Sequence, residues 1–263
     1  MTYATVFEWL GSGNNLRFIL EGFLINLEIA LVAIVLSLLV GLALALLRLS
    51  RTPGVPLITG IWVDVFRNLP LLLLILFLFL WIPQSWRETW EDVMPGWMPE
   101  AWQSGLMLAG PGGLVLYNSA VLAEIMRAGI LSLPRGQGEA ASALGMSYRQ
   151  RMRHVILPQG LRRMVPATVS QLITLTKDTT LVSIIAIVEV MRRARTVTAT
   201  SGNPFTGGGI DAPILEVFVF VGVLFIIVNF SLSRVSRRLE VRETRRTGTA
   251  AKPKIEGIED LVT

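Results

Sequence analysis

The chain has no cysteine and a single histidine, His154. Disulfide frameworks and thiolate metal sites are thereby excluded, and so is any zinc or haem centre that needs several imidazoles. His154 stands among arginines and reads as a solvated residue of a basic loop. Charge is scarce: 16% of the 263 residues are charged while 52% are hydrophobic, too apolar and charge-poor for an ordinary soluble domain. There is no GxxxxGK loop followed by Ser or Thr, no GxSxG elbow and no HExxH helix. The chain therefore cannot cradle ATP phosphates by itself, and a non-enzymatic membrane role is what these absences leave. The net charge of +5 does not signal nucleic acid, because the basic residues are not interleaved with aromatics. The first twenty residues carry Glu8 and Arg17 and lack a basic start, a short apolar core and a small-residue cleavage site, so a signal peptide is not expected.

What the chain does have is long apolar runs. Residues 29–47 read IALVAIVLSLLVGLALALL, nineteen positions without a charge. At about 1.5 Å rise per residue, that run approaches the roughly 30 Å hydrocarbon core of a bilayer. Five apolar segments can be read, at 16–49, 55–82, 105–131, 161–191 and 212–233, the second broken by Asp64, Arg67 and Asn68. The expected fold class is an all-α membrane bundle of five spans within residues 1–239. The charged tail, 240–263, is expected to be disordered.

Cytoplasmic loops retain arginine and lysine. With the N-terminus outside, the inner side holds Arg48, Arg51, Arg135, Arg149, Arg151, Arg153, Arg162, Arg163 and the eight basic residues from Arg234 to Lys254, sixteen of twenty-four. The outer side then holds five: Arg17, Arg87, Arg192, Arg193 and Arg195. The asymmetry predicts N-terminus out and C-terminus in. Residues 83–104 carry Trp86, Trp90, Trp97 and Trp102 with Glu88, Glu91, Asp92 and Glu100, as a structural segment at the outer interface would, the alternative being a docking surface for an external partner. Residues 200–212, TSGNPFTGGGIDA, read as a flexible outer loop.

The inner loop between the third and fourth segments, about 134–158, is the most informative stretch. Glu139, Ala140 and Ala141 open a short helical run, Gly145 supplies a turn that tolerates positive φ, and a second helix is expected from Ser147 to a stop before Pro158. A compact helix-turn-helix of this kind is a lever able to carry a push from a soluble partner into the bundle.

Here the chain resembles the permeases of bacterial ABC importers. Their inner-loop signature is EAA, three residues, Gly, nine residues, Ile, one residue, Leu-Pro. Glu139, Ala140, Ala141, Gly145, Leu157 and Pro158 match it, with Val155 in place of the isoleucine. FRNLPLL at 66–72, AEIMRAGI at 123–130, GQGEAA at 136–141, LPQ at 157–159 and KDTTL at 177–181 narrow the likeness to the polar amino-acid branch, which includes histidine, glutamine and glutamate permeases. The likeness runs from about 20 to 238 and departs at Leu69, Ala128 and Val121, where the family has Thr, Gly and often Tyr. It implies a type I importer permease in the bacterial inner membrane, paired with an identical or homologous permease. It also implies an ABC ATPase dimer docked on the inner loop through a coupling helix and an external solute-binding protein delivering an amino acid. ATP and Mg would then sit on the ATPase subunits, and this chain would bind no cofactor and break no bond.

Charges inside spans cost roughly 2.5–3.5 kcal/mol each, so they usually face the bundle interior and pair or meet a ligand. Asp64, Arg67, Glu124, Arg127, Lys177, Asp178 and Glu189 qualify. Arg67, Asn68, Glu124, Lys177 and Asp178 are the expected substrate path, since a cavity of both signs suits a zwitterion. Asp64 with Arg67, and Glu124 with Arg127, could equally be helix-face pairs at three-residue spacing. Two other readings stand beside the amino-acid importer: an ABC permease for another small solute, and a self-sufficient secondary transporter using its intramembrane carboxylates as an ion relay.

Overall fold

A computed structural model describes residues 8–11, 14–200 and 214–247. The helices are α1 (Glu8–Gly11), α2 (Asn15–Arg48), α3 (Val55–Asn68), α4 (Leu71–Trp81), α5 (Gln84–Val93), α6 (Glu100–Gln103), α7 (Gly110–Leu131), α8 (Arg135–Ala143), α9 (Tyr148–Arg151), α10 (Leu157–Asp178), α11 (Val190–Thr200) and α12 (Ile214–Thr247). Short 3-10 helices occupy Gly105–Leu108 and Thr179–Ile185. No strand occurs among the described residues.

Helix α2 is apolar around most of its circumference, as a membrane helix must be when one face meets protein and the other lipid. Ile29, Ala30, Ala33, Ile34 and Ser37 are buried, while Leu24, Leu31, Val35 and Leu39 point outward. Its partner is α7. The two backbones come close at Gly41, where a Cβ would lie 3.0 Å from the Ser119 carbonyl oxygen and 3.1 Å from Leu122 Cβ. Close approach at a small residue is how helices gain packing contacts without a hydrophobic drive between them. Helix α10 packs between α7 and α12 and meets α7 at a second such point. A Cβ on Gly160 would stand 2.9 Å from Ile130 Cα, and one on Gly129 would stand 3.0 Å from the Gly160 carbonyl oxygen.

Among the described residues, three helical stretches are long and apolar enough to cross a membrane: Asn15–Arg48, Gly105–Leu131 and Ile214–Arg242. The second expected span is a bent pair, α3 and α4 meeting at 103°. The break is not at Asp64, Arg67 and Asn68, which lie within α3, but one step later. Leu69, preceding Pro70, is forced into extended backbone (φ −74°, ψ 137°), and α4 starts afresh beyond it. The fourth expected span, 161–191, is also divided. Helix α10 ends at Asp178, a 3-10 turn follows, and Ala186 takes a left-handed conformation (φ 67°) before α11 begins.

The tryptophan-bearing segment hangs on α2 through its indoles. Trp90 Nε1 donates to the Trp102 carbonyl (2.9 Å), and Trp102 Nε1 donates to Glu28 Oε2 (2.7 Å). Trp86 and Trp97 remain exposed, as interfacial rings do. Helix α12 continues to Thr247, so the first part of the tail expected to be disordered, 240–247, is helical. Residues 248–263, and 201–213 of the expected outer loop, lie outside the described residues.

Candidate functional site

The 134–158 loop is held by a dense set of local hydrogen bonds. Pro134 sits before α8, its fixed φ suited to a helix entry. At the other end, Gly145 N donates to the Ser142 carbonyl (2.9 Å) and Met146 N to the Ala141 carbonyl (3.2 Å). Those two bonds, with Gly145 at φ +75°, form a Schellman cap, which requires a left-handed residue just past the helix. Ser147 then starts the next helix with a capping box: its Oγ accepts from Gln150 N, and its N–H donates to Gln150 Oε1 at 2.9 Å. The turn is thus written in the backbone freedom of Gly145, and the restart in two side chains three residues apart, Ser147 and Gln150.

The second helix does not stop before Pro158. A π-helical turn, Met152–Ile156, links α9 directly to α10, and Pro158 occupies the first turn of α10. Proline lacks the N–H for an ordinary i to i−4 bond and its ring clashes with that carbonyl; the wider π turn accommodates both. Leu157 and Pro158 are therefore half-buried parts of a continuous arm, and Ala141 is buried against it. Glu139, Ala140 and Gly145 are exposed, and Leu144 presents an apolar side chain that is 79% exposed. The loop thus presents a mostly small and partly apolar exposed face.

Next to the loop, three helices are joined by charge. Arg48 of α2 donates to Glu124 Oε2 of α7 (2.5 Å) and approaches Asp64 of α3 (3.7 Å). Glu124 also accepts from Arg127 Nε at 3.1 Å and from its Nη2. Arg67 lies 3.9 Å from Asp64, and Asn68 Nδ2 donates to the Asp64 carbonyl (2.7 Å), tying off the last turn of α3. Both three-residue pairs are present, and Arg48 fuses them into one cluster. Arg67 and Glu124 are brought together in this sense. Lys177 and Asp178 are not part of it: they end α10, Lys177 exposed and Asp178 half-buried, and no ion pair among the described residues joins either to the cluster.

Beyond Asp178 lies a second polar group, of which the sequence singles out Glu189 but not its partner Asn26. Asn26 of α2 donates through Nδ2 to Thr179 Oγ1 (3.0 Å) and to Glu189 Oε2 (2.9 Å), and accepts from Val190 N through Oδ1 (3.0 Å). Glu189 Oε1 accepts from Arg192 N (2.8 Å), so this carboxylate caps the start of α11, where negative charge is favoured. Asn26, Thr179 and Glu189 are all fully buried. A further buried amide, Asn118, links α7 to α10 by accepting from Gln171 Nε2 (2.7 Å). The available signal for Asn26 was a lone amide in an apolar run, and for Arg48 an arginine at the last turn of a span.

Fold and loop together define a multi-pass membrane protein with a helix-turn-helix between two of its long helices, α7 and α10. Residues 37–244 match the family described as the binding-protein-dependent transport system inner membrane component, and the chain belongs to that family. It is 36% identical over 233 residues to the probable glutamine ABC transporter permease protein GlnP of Bacillus subtilis (strain 168), covering 89% of this chain and 97% of that protein. It is 32% identical over 236 residues to the glutamate/aspartate import permease protein GltK of Escherichia coli O157:H7, covering 90% of this chain and 98% of that one. Its fold is similar to a chain in the crystal structure of an amino acid ABC transporter with histidines, with a TM-score of 0.68, 26% identity, and coverage of 90% of this chain and 98% of that one.

Proposed function

We propose that this chain is the translocating subunit of an ATP-driven importer of polar amino acids, of the glutamate and glutamine class, working beside a second copy or a homologous permease. An ATPase dimer, carrying ATP and Mg, docks against Glu139, Ala140, Ala141 and Gly145. An external solute-binding protein delivers substrate to the opposite face, and closure of the ATPases moves the loop so that the bundle alternates its opening. The chain itself contributes binding and motion and no catalysis. The observation that carries this reading is the loop, where the signature glycine sits at the one left-handed position of a Schellman cap. Sequence similarity to glutamine and glutamate/aspartate permeases supports the substrate class.

The test is uptake of labelled glutamine and glutamate by the reconstituted complex. Gly145→Pro removes the donor to Ser142 and forbids positive φ, so uptake and substrate-stimulated ATP hydrolysis should both fall by at least about tenfold while insertion is retained. Wild-type uptake in the inserted variant removes the loop from the mechanism. Uptake that persists without the ATPase favours a self-sufficient carrier. Orientation is checked separately, since the chain has no cysteine of its own. Single cysteines at Ser147 and Gly208 should react oppositely with an impermeant maleimide if the N-terminus is outside, and equal labelling in intact cells overturns that topology.

A further inference from the structure

The inner loop is attached to the bundle in two ways. One runs along its own stretch of chain: Arg151 hydrogen-bonds Ser142, Gln159 Nε2 donates to Gln137 Oε1 (3.2 Å), and α10 then packs on α7 at Gly129 and Gly160. The other crosses to a remote helix. Tyr148, the first residue of α9, donates its hydroxyl to the carbonyl of Leu49, 3.1 Å away and 99 residues distant in sequence. Leu49 caps the C-terminal end of α2, where backbone carbonyls have no partner within the helix. Arg51 lies over the Tyr148 ring, 4.5 Å from its centroid, with Arg151 at 5.8 Å. The residue next to Leu49 is Arg48, the hub of the charged cluster on α2, α3 and α7.

We propose that Tyr148 is a positioning residue of the transport cycle, clamping the inner loop to the end of α2 so that displacement of α8 is delivered to Arg48 and onward to α3 and α7. This rests on the reading of the loop as the ATPase contact. The physical case is one of leverage. Arg151 on Ser142 ties α8 to α9 across the turn at Gly145, so the two move together; attached only along its own stretch of chain, this pair could shift with α7 and α10 while the end of α2 stayed in place. Attached also at Leu49, it cannot shift without dragging the last turn of α2, and Arg48 bonds to both neighbouring helices from that turn. Because the acceptor is a backbone carbonyl, the link does not depend on a second side chain finding its rotamer. The guanidinium of Arg51 covers the ring and holds it in register.

The experiment uses the whole complex in proteoliposomes and reads labelled glutamine and glutamate transported per ATP hydrolysed. Tyr148→Phe keeps the ring stack and deletes only the hydroxyl. It should co-purify with the ATPase at wild-type stoichiometry and keep basal ATP hydrolysis within about twofold, yet lower solute moved per ATP by about threefold to tenfold, the effect of one lost hydrogen bond. Adding Arg51→Gln should lower the ratio further. An unchanged ratio in Tyr148→Phe overturns the clamp, and so does a lower ratio accompanied by an equal loss of bound ATPase, which would mark the contact as structural. Gly145→Pro in the same assay separates the two levels. If it uncouples and Tyr148→Phe does not, only the clamp fails; if neither uncouples, the coupling role of the loop fails with it.

Discussion

Among the polar groups of the described residues, the two clusters at either end of α10 are built on opposite principles. The cluster at the loop end, Arg48, Asp64, Arg67, Glu124 and Arg127, is ionic and partly open, with side-chain exposures from 20% for Arg48 to 50% for Asp64. The cluster at the other end of α10, Asn26, Thr179 and Glu189, is fully buried and completed by backbone N–H groups of α11. Open charges can exchange partners at little cost because water and neighbouring charges substitute for one another. A sealed cluster cannot, because each lost partner leaves a buried group unsatisfied. The first arrangement suits a region that rearranges during transport or meets a charged solute. The second suits a joint that keeps α2, α10 and α11 in fixed relation.

The largest expected effect is on the sealed cluster. Asn26→Leu takes the partner from both Glu189 Oε2 and Val190 N, while Thr179 Oγ1 keeps its bond to the Thr176 carbonyl (2.7 Å), and should cost about 3 kcal/mol, enough to lower yield and thermal stability in detergent sharply. A variant with wild-type melting behaviour would mean that the cluster is not the rigid joint described. Glu189→Gln keeps the shape and one acceptor and should cost less, about 1–2 kcal/mol.

At the open cluster, a double-mutant cycle between Arg48→Gln and Glu124→Gln should give a coupling energy of about 0.5–2 kcal/mol, because the pair is direct but only partly desolvated. Coupling near zero, measured by thermal unfolding of the four proteins, would show that the two side chains do not act as a unit. The smallest expected effect on stability is that of Arg67→Gln, below about 0.5 kcal/mol, since the Asp64 contact is long and exposed. Its effect should be seen in transport: an altered concentration dependence of uptake or a changed ranking of competing amino acids. If Arg67→Gln and Glu124→Gln both assemble and leave the uptake rate, concentration dependence and ranking untouched, the open cluster is structural after all, and the substrate path runs elsewhere.

Much of this organisation could be read from local pattern. The apolar run in α2 declared a span because its length and lack of charge are properties of consecutive residues. Gly145 was readable as a turn for the same reason: positive φ is a demand on one residue, and its neighbours Ser147 and Gln150 supply the restart within four positions. Asp64 with Arg67 and Glu124 with Arg127 were visible as possible pairs because three-residue spacing makes neighbours on any helix. The break in the second span falls one step beyond the polar residues expected to cause it, at the proline that follows them, because those side chains are compatible with helix and the residue before a proline is not.

The helical class, the apolar run of α2 and the turn at Gly145 thus follow from the order of residues, because each depends on interactions within about a turn or two of chain. The tertiary structure decided what no local spacing can express. It made Arg48 the hub of a three-helix cluster, set Asn26 against Glu189 across 163 positions of sequence, set Tyr148 against Leu49 across 99, and left Lys177 and Asp178 outside the cluster that holds Arg67 and Glu124. Those pairings depend on where α2, α7 and α10 cross, which is fixed by the close approaches at Gly41, Gly129 and Gly160, and a glycine does not announce which helix will lie against it.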